Sequence, residues 1–503
     1  LINTVKYAKN QFAKQTYFAF IFVLLVAFTS MRPIINSFHH HFFLESDSVA
    51  YLGLGINLLS GKGFVTVAGD WCSDWPPLYP FALGLSRLFT HDSVLAIGIV
   101  GGLCFGTTML FSYLWLGKLT KSITIRFVAA VVMAFSAPMT HLANSGFSET
   151  LFVPLSIASL YFTACSLDSG SRKSLLAAAC AAVLCCLARY IGAVVIAAGF
   201  FAILTSSRNP GNKKLFDSIL YITVSTIPVL LWCGVNKALT GAWMGNRILG
   251  SHTLIQCIRA LFASIQAAFV NNYLSIILAS ASLLGLAAMV KNQKHSNLAF
   301  LSIGAYFILF YTALLLWSSS TYSIDMIDDR LTYPLFVPLI AVSIGLIECL
   351  RTALNKAGAR CVTALTAAFF VMVTVYALQV PQVPEGGYLS SEWQNSSTLA
   401  YVRSKTFTDP LFTNDSSATY LFGHKGAECI ADATDSPTMP YVEGVITGIP
   451  SQSYVIWLYN GLEPDNFNAA VLKSKCDIRI VAKFDDGVIF QRKGSPQQTA
   501  SSM

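Results

Sequence analysis

Between residues 16 and 380 the chain repeats one feature that decides its solvent: runs of about 17–22 apolar residues, each long enough to cross a bilayer core of roughly 30 Å as a helix. The runs lie near residues 16–35, 94–116, 124–140, 149–166, 174–188, 190–205, 217–235, 273–290, 298–317, 332–350 and 361–380. They predict a polytopic α-helical membrane protein of about eleven transmembrane helices. Composition agrees, with 54% hydrophobic and only 12% charged residues. The first run has no suitably placed small-residue cleavage site, so it reads as an uncleaved signal-anchor.

Basic residues set the orientation. They cluster before the first run (Lys6, Lys9, Lys14) and in alternate short loops thereafter, at Lys118–Arg126, Arg172-Lys173, Arg208–Lys214, Lys291–Lys294 and Arg351–Arg360. The positive-inside rule assigns these to the cytoplasm, and the net charge of +8 follows from them. No basic stripe interleaved with aromatics appears, so nucleic acid is not an expected partner. Both flanks of residues 175–204 are basic, so an even number of crossings lies between them. That predicts a hairpin hinged at Arg189, placing this arginine on the outer side. Loops 36–92, 138–148, 236–272 and 318–331, and everything after about residue 381, share that side. The expected location is the plasma (inner) membrane.

The first outer loop, 36–92, holds an amphipathic helix. Val49, Leu52, Ile56 and Leu59 form one stripe, with Ser46 as expected N-cap and Gly61 as expected stop. Such a helix would lie on the membrane surface. Asp47 and Tyr51, four residues apart, share a face, and the helix dipole favours an ionised acid in the first turn. The plainer alternative is that Asp47 only caps the helix. Trp71, Trp75 and Tyr79 read as an interfacial aromatic belt, and Pro76, Pro77 and Pro80 lead into an apolar piece, 78–90, too short to span.

An acid near the start of loop one, a Tyr four residues on, Leu58-Leu59-x-Gly61-x-Gly63 and Pro76-Pro77-Leu78-Tyr79-Pro80 together resemble the GT-C superfamily of membrane glycosyltransferases. The similarity is strongest to the branch of protein O-mannosyltransferases and lipid A aminoarabinose transferases. Ser148-Glu149-Thr150-Leu151-Phe152, Leu187-Ala188-Arg189-Tyr190-x-Gly192, Asn236 through Thr240-Gly241 and Arg247, and Asp329-Arg330-Leu331 follow in order. The resemblance covers roughly residues 16–380.

It implies transfer of a sugar from a polyprenyl-phosphate carrier to a glycan, lipid or protein acceptor at the outer face, with inversion at the anomeric carbon. Such chemistry needs a carboxylate to receive the acceptor proton and fixed cations for the departing phosphate. Asp47 is the candidate base and Glu149 a second candidate catalytic acid. The alternative roles for Glu149 are orienting the acceptor, helping to bind a divalent ion or capping the fourth span. Arg189 and Arg330 are the first candidates for the donor phosphate, with Lys62 and Arg247 next, since guanidinium forks match phosphate oxygens. Snorkelling for Arg189, and pairing with Asp325, Asp328 or Asp329 for Arg330, are the alternatives. Tyr51, Trp75 and Tyr79 are candidate substrate contacts. The competing function classes are a non-catalytic assembly protein on the same frame and, more distantly, a transporter, which would carry midplane ionisable residues or internal duplication.

The resemblance admits a divalent metal without requiring one, and the sequence names no other cofactor. Consecutive His39, His40 and His41 cannot all face one ion from regular structure, so interfacial placement is favoured. Cys429 and Cys476 could bridge in an oxidising compartment, with Cys72 and Cys257 as alternative partners.

After Val380, Pro381, Pro384, Gly386 and Gly387 mark a linker into residues 381–503, a small C-terminal α/β soluble domain. The expected order is a helix over 391–405, a short strand at 410–414, a helix start at 416–423 and a strand at 453–459. A helix over 465–474 and a hairpin turning at Asp485-Asp486-Gly487 complete it, with a disordered tail from Ser495. Because it shares a side with Asp47, this domain is expected to help admit the acceptor. No nucleotide-binding Gly-rich fingerprint appears, in agreement with a lipid-linked donor.

Overall fold

The structure, a computed structural model, describes residues 2–39, 42–206, 211–245, 250, 252–268, 282, 284–285, 298–322, 326–378, 387–430, 448–459 and 477–493. The chain divides into two compact units. One comprises Leu1–Phe42 and Cys72–Pro384, the other Phe43–Trp71 and Glu385–Met503. Loop one is therefore shared between them, and its Asp47 helix, α2 (Ser46–Leu59), belongs with the C-terminal residues.

The first unit is helical: α1 (Ile2–Phe38), α3 (Leu78–Ser86), α4 (Ser93–Leu119), α5 (Ile123–Phe135), α6 (Ala137–Ala143), α7 (Glu149–Ser169), α8 (Arg172–Ala188), α9 (Ala193–Thr205), α10 (Gly211–Thr240), α11 (Leu254–Ala268), α12 (Leu298–Thr321), α13 (Asp329–Ala353) and α14 (Lys356–Ala377). Among the described residues, seven helices are long and apolar enough to cross a membrane: Thr16–Phe38 of α1, α4, α7, α10, α12, α13 and Lys356–Val375 of α14. The protein is thus a multi-pass membrane protein. The other expected spans take different forms. Residues 124–140 form the α5–α6 pair, bent by 51°, because Ser136 ends one helix and caps the next through the Met139 N–H at 3.4 Å. Helix α8 has 17 residues, and the segment 190–205 is a short 3-10 turn followed by α9. The expected span 273–290 lies almost wholly outside the described residues.

Packing in this unit uses small residues where helices approach closely, as in membrane bundles generally. A Cβ on Gly102 would stand 2.1 Å from the Ser30 carbonyl oxygen of α1. Between α7 and α8, Ser159 Oγ donates to the Ala178 carbonyl at 2.9 Å. Trp115, fully buried, donates its indole N–H to the Phe300 carbonyl at 3.0 Å, tying α4 to α12.

The second unit carries a five-stranded mixed sheet in the order β2-β1-β3-β5-β4, with β1 (Leu411–Thr413), β2 (Glu428–Cys429), β3 (Tyr454–Leu458), β4 (Ile478–Phe484) and β5 (Gly487–Arg492). β1 runs parallel to β2 and β3, while β5 is antiparallel to β3 and β4. Side chains alternate between faces, as a period of two requires. Val455 and Trp457 join Phe412, Val488 and Phe490 in one apolar cluster, whereas Ile456 and Leu458 join Leu399, Val402, Ala418 and Ile489 in another. The expected helix over 391–405 is two, α15 (Ser391–Gln394) and α16 (Ser397–Ser404), because Ser396 caps the second through Leu399 N–H at 3.1 Å. Helix α17 (Ser416–Gly423) follows β1, and the hairpin turns at Asp485-Asp486 as expected. The expected helix 465–474 and the tail lie outside the described residues.

Candidate active site

Three helix ends meet at one carboxylate. Glu149 opens α7 and is fully buried. Arg189 sits where α8 ends, in an extended conformation (φ −152°, ψ 135°) that breaks the helix and turns the chain toward α9. The turn is tight: a Cβ on Gly192 would stand 2.5 Å from the Cys185 backbone. Arg330 is the second residue of α13. Arg189 forms an ion pair with Glu149 Oε2, and the same guanidinium donates to Ser148 Oγ at 2.9 Å. Arg330 Nε donates to Glu149 Oε1 at 2.9 Å, and its guanidinium lies 4.1 Å from the centre of the Phe147 ring, a cation–π distance.

A buried carboxylate without partners would be strongly unfavourable, and here both oxygens accept from guanidinium N–H groups. The carboxylate in turn holds two cations closer than their repulsion would otherwise allow, leaving an excess of one positive charge. The Glu149 side chain is sealed at 0% exposure, while those of Arg189 and Arg330 keep 17% and 15%. The accessible chemistry of this cluster is therefore cationic. Of the acids considered as surface partners for Arg330, Asp328 caps α13 through Leu331 N–H at 2.9 Å, and Asp325 lies outside the described residues.

The residue after Arg189 secures the hinge. Tyr190 donates its hydroxyl to the Ser73 carbonyl at 3.0 Å and accepts from Trp232 Nε1 at 3.2 Å and Asn236 Nδ2 at 3.0 Å. Asn236, fully buried near the end of α10, also reaches the Trp243 carbonyl at 3.3 Å. Tyr190 and Asn236 were singled out by motif, but their meeting was not. Phe147, Ser73 and Trp232 escaped sequence reasoning altogether; only the position of Phe147, two residues before the glutamate, offered a signal.

Asp47 is the second residue of α2, in the second unit, and is half-buried. The N-cap of α2 is Glu45, not Ser46: in a capping box with Ser48, the Glu45 N–H donates to Ser48 Oγ at 3.4 Å. Of the expected stripe of α2, Val49 and Leu52 are buried, Ile56 is half-buried and Leu59 is exposed. Tyr51 and Leu54 of the same helix are also buried, each at most 2% exposed. Lys62 is exposed in the turn after α2, where Gly61 at φ +77° ends the helix as expected. Trp75 is half-buried in the first unit, and Tyr79, at 1% exposure, packs in the interior rather than in an aromatic belt. Arg247, His40, His41 and Cys476 lie outside the described residues. Among the described residues, no three His, Cys, Asp or Glu side chains are grouped as metal ligands. Cys72 and Cys257 are both free thiols, so the alternative bridge between them is not formed. Burial pushes the Cys72 thiol up to about 11.

Residues 74–232 match a family described as dolichyl-phosphate-mannose-protein mannosyltransferase. No curated protein sequence gives a significant match. Among solved structures, the chain is similar to apo ArnT from Cupriavidus metallidurans (TM-score 0.59, 11% identity, covering 95% of this chain and 98% of that one). It is also similar to ArnT bound to undecaprenyl phosphate (TM-score 0.57, 10% identity, 94% and 98%). A third likeness is to the Archaeoglobus fulgidus oligosaccharyltransferase AglB in complex with an inhibitory peptide and a dolichol-phosphate (TM-score 0.57, 13% identity, 88% and 70%). At these identities the likeness is one of fold.

Proposed function

We propose that this chain, which has the fold of GT-C membrane glycosyltransferases, transfers a sugar from a polyprenyl-phosphate carrier to an acceptor with inversion at the anomeric carbon. The observation that carries the reading is the Arg189–Glu149–Arg330 cluster, a preorganised excess of positive charge at converging helix ends. A lipid phosphate is the ligand such a cluster fits. Its charge grows as the anomeric carbon–oxygen bond breaks, and two fixed guanidiniums stabilise that growth without reorganising. The similar structures bound to undecaprenyl phosphate and to dolichol-phosphate support the same donor class.

In this reading the acceptor oxygen or nitrogen attacks the anomeric carbon, the bond to phosphate breaks with its electron pair on the phosphate, and Asp47 receives the acceptor proton. Glu149 serves as the counter-charge that fixes both arginines and not as a proton acceptor, since both its oxygens are engaged. The phosphate leaves without needing a general acid. The transferring face is outside the cytoplasm, and residues 1–380 and 381–503 act as catalytic and acceptor-side domains.

Titrating the purified full-length protein with polyprenyl phosphate tests the donor site. Arg189→Ala and Arg330→Ala are each expected to weaken binding by about tenfold or more, with Lys restoring only part because it lacks the planar fork. Unchanged affinity in both Ala variants would move the phosphate site elsewhere.

A further inference from the structure

We propose that Tyr388, Asp415 and Ser417 are positioning residues for Asp47, so that the C-terminal residues set the placement of the candidate base. The inference rests on the reading of Asp47 as the base and adds what holds it. All the contacts that carry it lie within one compact unit.

The chain entering α2 is clamped at its backbone. Leu44, three residues before Asp47 and 1% exposed, accepts at its carbonyl from the Tyr388 N–H at 2.9 Å and pairs with Gly387 in a parallel bridge. Only glycine suits this bridge. Gly387 has φ +64°, and a Cβ there would stand 2.3 Å from the Leu44 carbonyl oxygen.

The side chain of Tyr388 extends the clamp. Its hydroxyl donates to the Asp415 carboxylate, 3.0 Å from each oxygen, and Asp415 also caps α17 through Ala418 N–H at 2.8 Å. Two residues on, Ser417 Oγ donates to the carbonyl of Ser46, the residue before Asp47, at 3.4 Å. One buried carboxylate thus fixes both the strand-like contact at residue 44 and the helix end that reaches residue 46. Burial, then Asp415, raises the Tyr388 hydroxyl well above its usual range, so it stays a donor at every working pH.

The middle of α2 is fixed from the same direction. Gly53 leaves its Cβ position 3.7 Å from the Tyr420 ring of α17 and within 2.6 Å of Val67 Cγ1. Contacts at residues 44, 46 and 53 therefore bracket Asp47 along its helix, and misplacement of a base by about 1 Å can cost about a hundredfold in rate.

The test uses the full-length protein and compares Tyr388→Phe, Ser417→Ala and Ser417→Thr with Asp47→Asn, reading kcat, donor KM and polyprenyl-phosphate affinity. Tyr388→Phe keeps the ring and the backbone bond while removing the hydroxyl. The expected result is a fall in kcat of about tenfold for Tyr388→Phe, with donor KM and phosphate affinity unchanged. A smaller fall is expected for Ser417→Ala, restored by Ser417→Thr. Wild-type kcat in Tyr388→Phe and Ser417→Ala, with Asp47→Asn inactive, would overturn the inference and leave the base intact. Equal losses of kcat and donor affinity would overturn it too, as general destabilisation. Full turnover in Asp47→Asn would instead remove the base itself.

Discussion

At the scale of single residues, the decisive arrangement is one acid shared by two arginines. The chemistry of the three residues was legible, since an acid and two arginines stood at expected helix ends. Their partnership was not, because Arg189 and Glu149 are far apart in sequence and Arg330 has three acids within five residues. A buried carboxylate that lacks water draws its stabilisation from such paired cations. Glu149→Gln should therefore destabilise the fold by about 3 kcal/mol, by leaving two guanidiniums facing each other, and should lower polyprenyl-phosphate affinity indirectly. Thermal unfolding and donor titration of that variant check both effects; an unchanged midpoint would mean that the ion pairs do not hold the helix ends. Cys72 gives a pH-dependent prediction. Its folded pKa is raised from 9.0 to about 11 by burial, so the fold favours the neutral thiol. The associated stability is present below about 9 and is lost as pH rises toward 11, because only the unfolded chain ionises freely there. Maleimide should accordingly label the native Cys72 slowly at pH 8, and fast labelling would show the thiol to be exposed.

Among the elements, those with strong local signals were read correctly, while those defined by their partners were not. The hinge at Arg189 followed from charge placement alone, since two basic flanks demand an even number of crossings. The hairpin at Asp485-Asp486 followed from turn chemistry. The bend at Ser136 was missed, because hydropathy runs on through residues 124–140 and only a serine three residues before Met139 marks the new helix start. Helix α2 shows the limit most clearly. Its stripe and its stop at Gly61 were visible, but a stripe states only that one face seeks burial. Equally illegible are the contacts made at its start by residues more than three hundred positions away, where the Tyr388 N–H and Ser417 Oγ donate to the carbonyls of Leu44 and Ser46.

For the whole molecule, apolar runs sufficed to establish a multi-pass membrane protein, and ordered motifs sufficed to suggest its fold. The division into units was less legible: the linker after Val380 announced a boundary, but nothing in loop one announced that residues 43–71 group with the C-terminal residues. Orientation remains a consequence of the basic loops and is testable by itself. A membrane-impermeant thiol reagent should label a single cysteine placed at Ser320 or Ser390 from outside intact cells, and should fail at Ser171 or Asn212. The reverse pattern would invert the proposed transferring face.

The central claim is sugar transfer from a lipid-phosphate donor with Asp47 as base, and the most direct measurement is release of polyprenyl phosphate by the purified full-length protein supplied with polyprenyl-phosphate sugars and acceptor. The wild type should release lipid phosphate with at least one such donor, and Asp47→Asn should bind that donor equally while releasing none above background. No release by the wild type from any polyprenyl-phosphate sugar, or most of the turnover surviving in Asp47→Asn, would contradict the account.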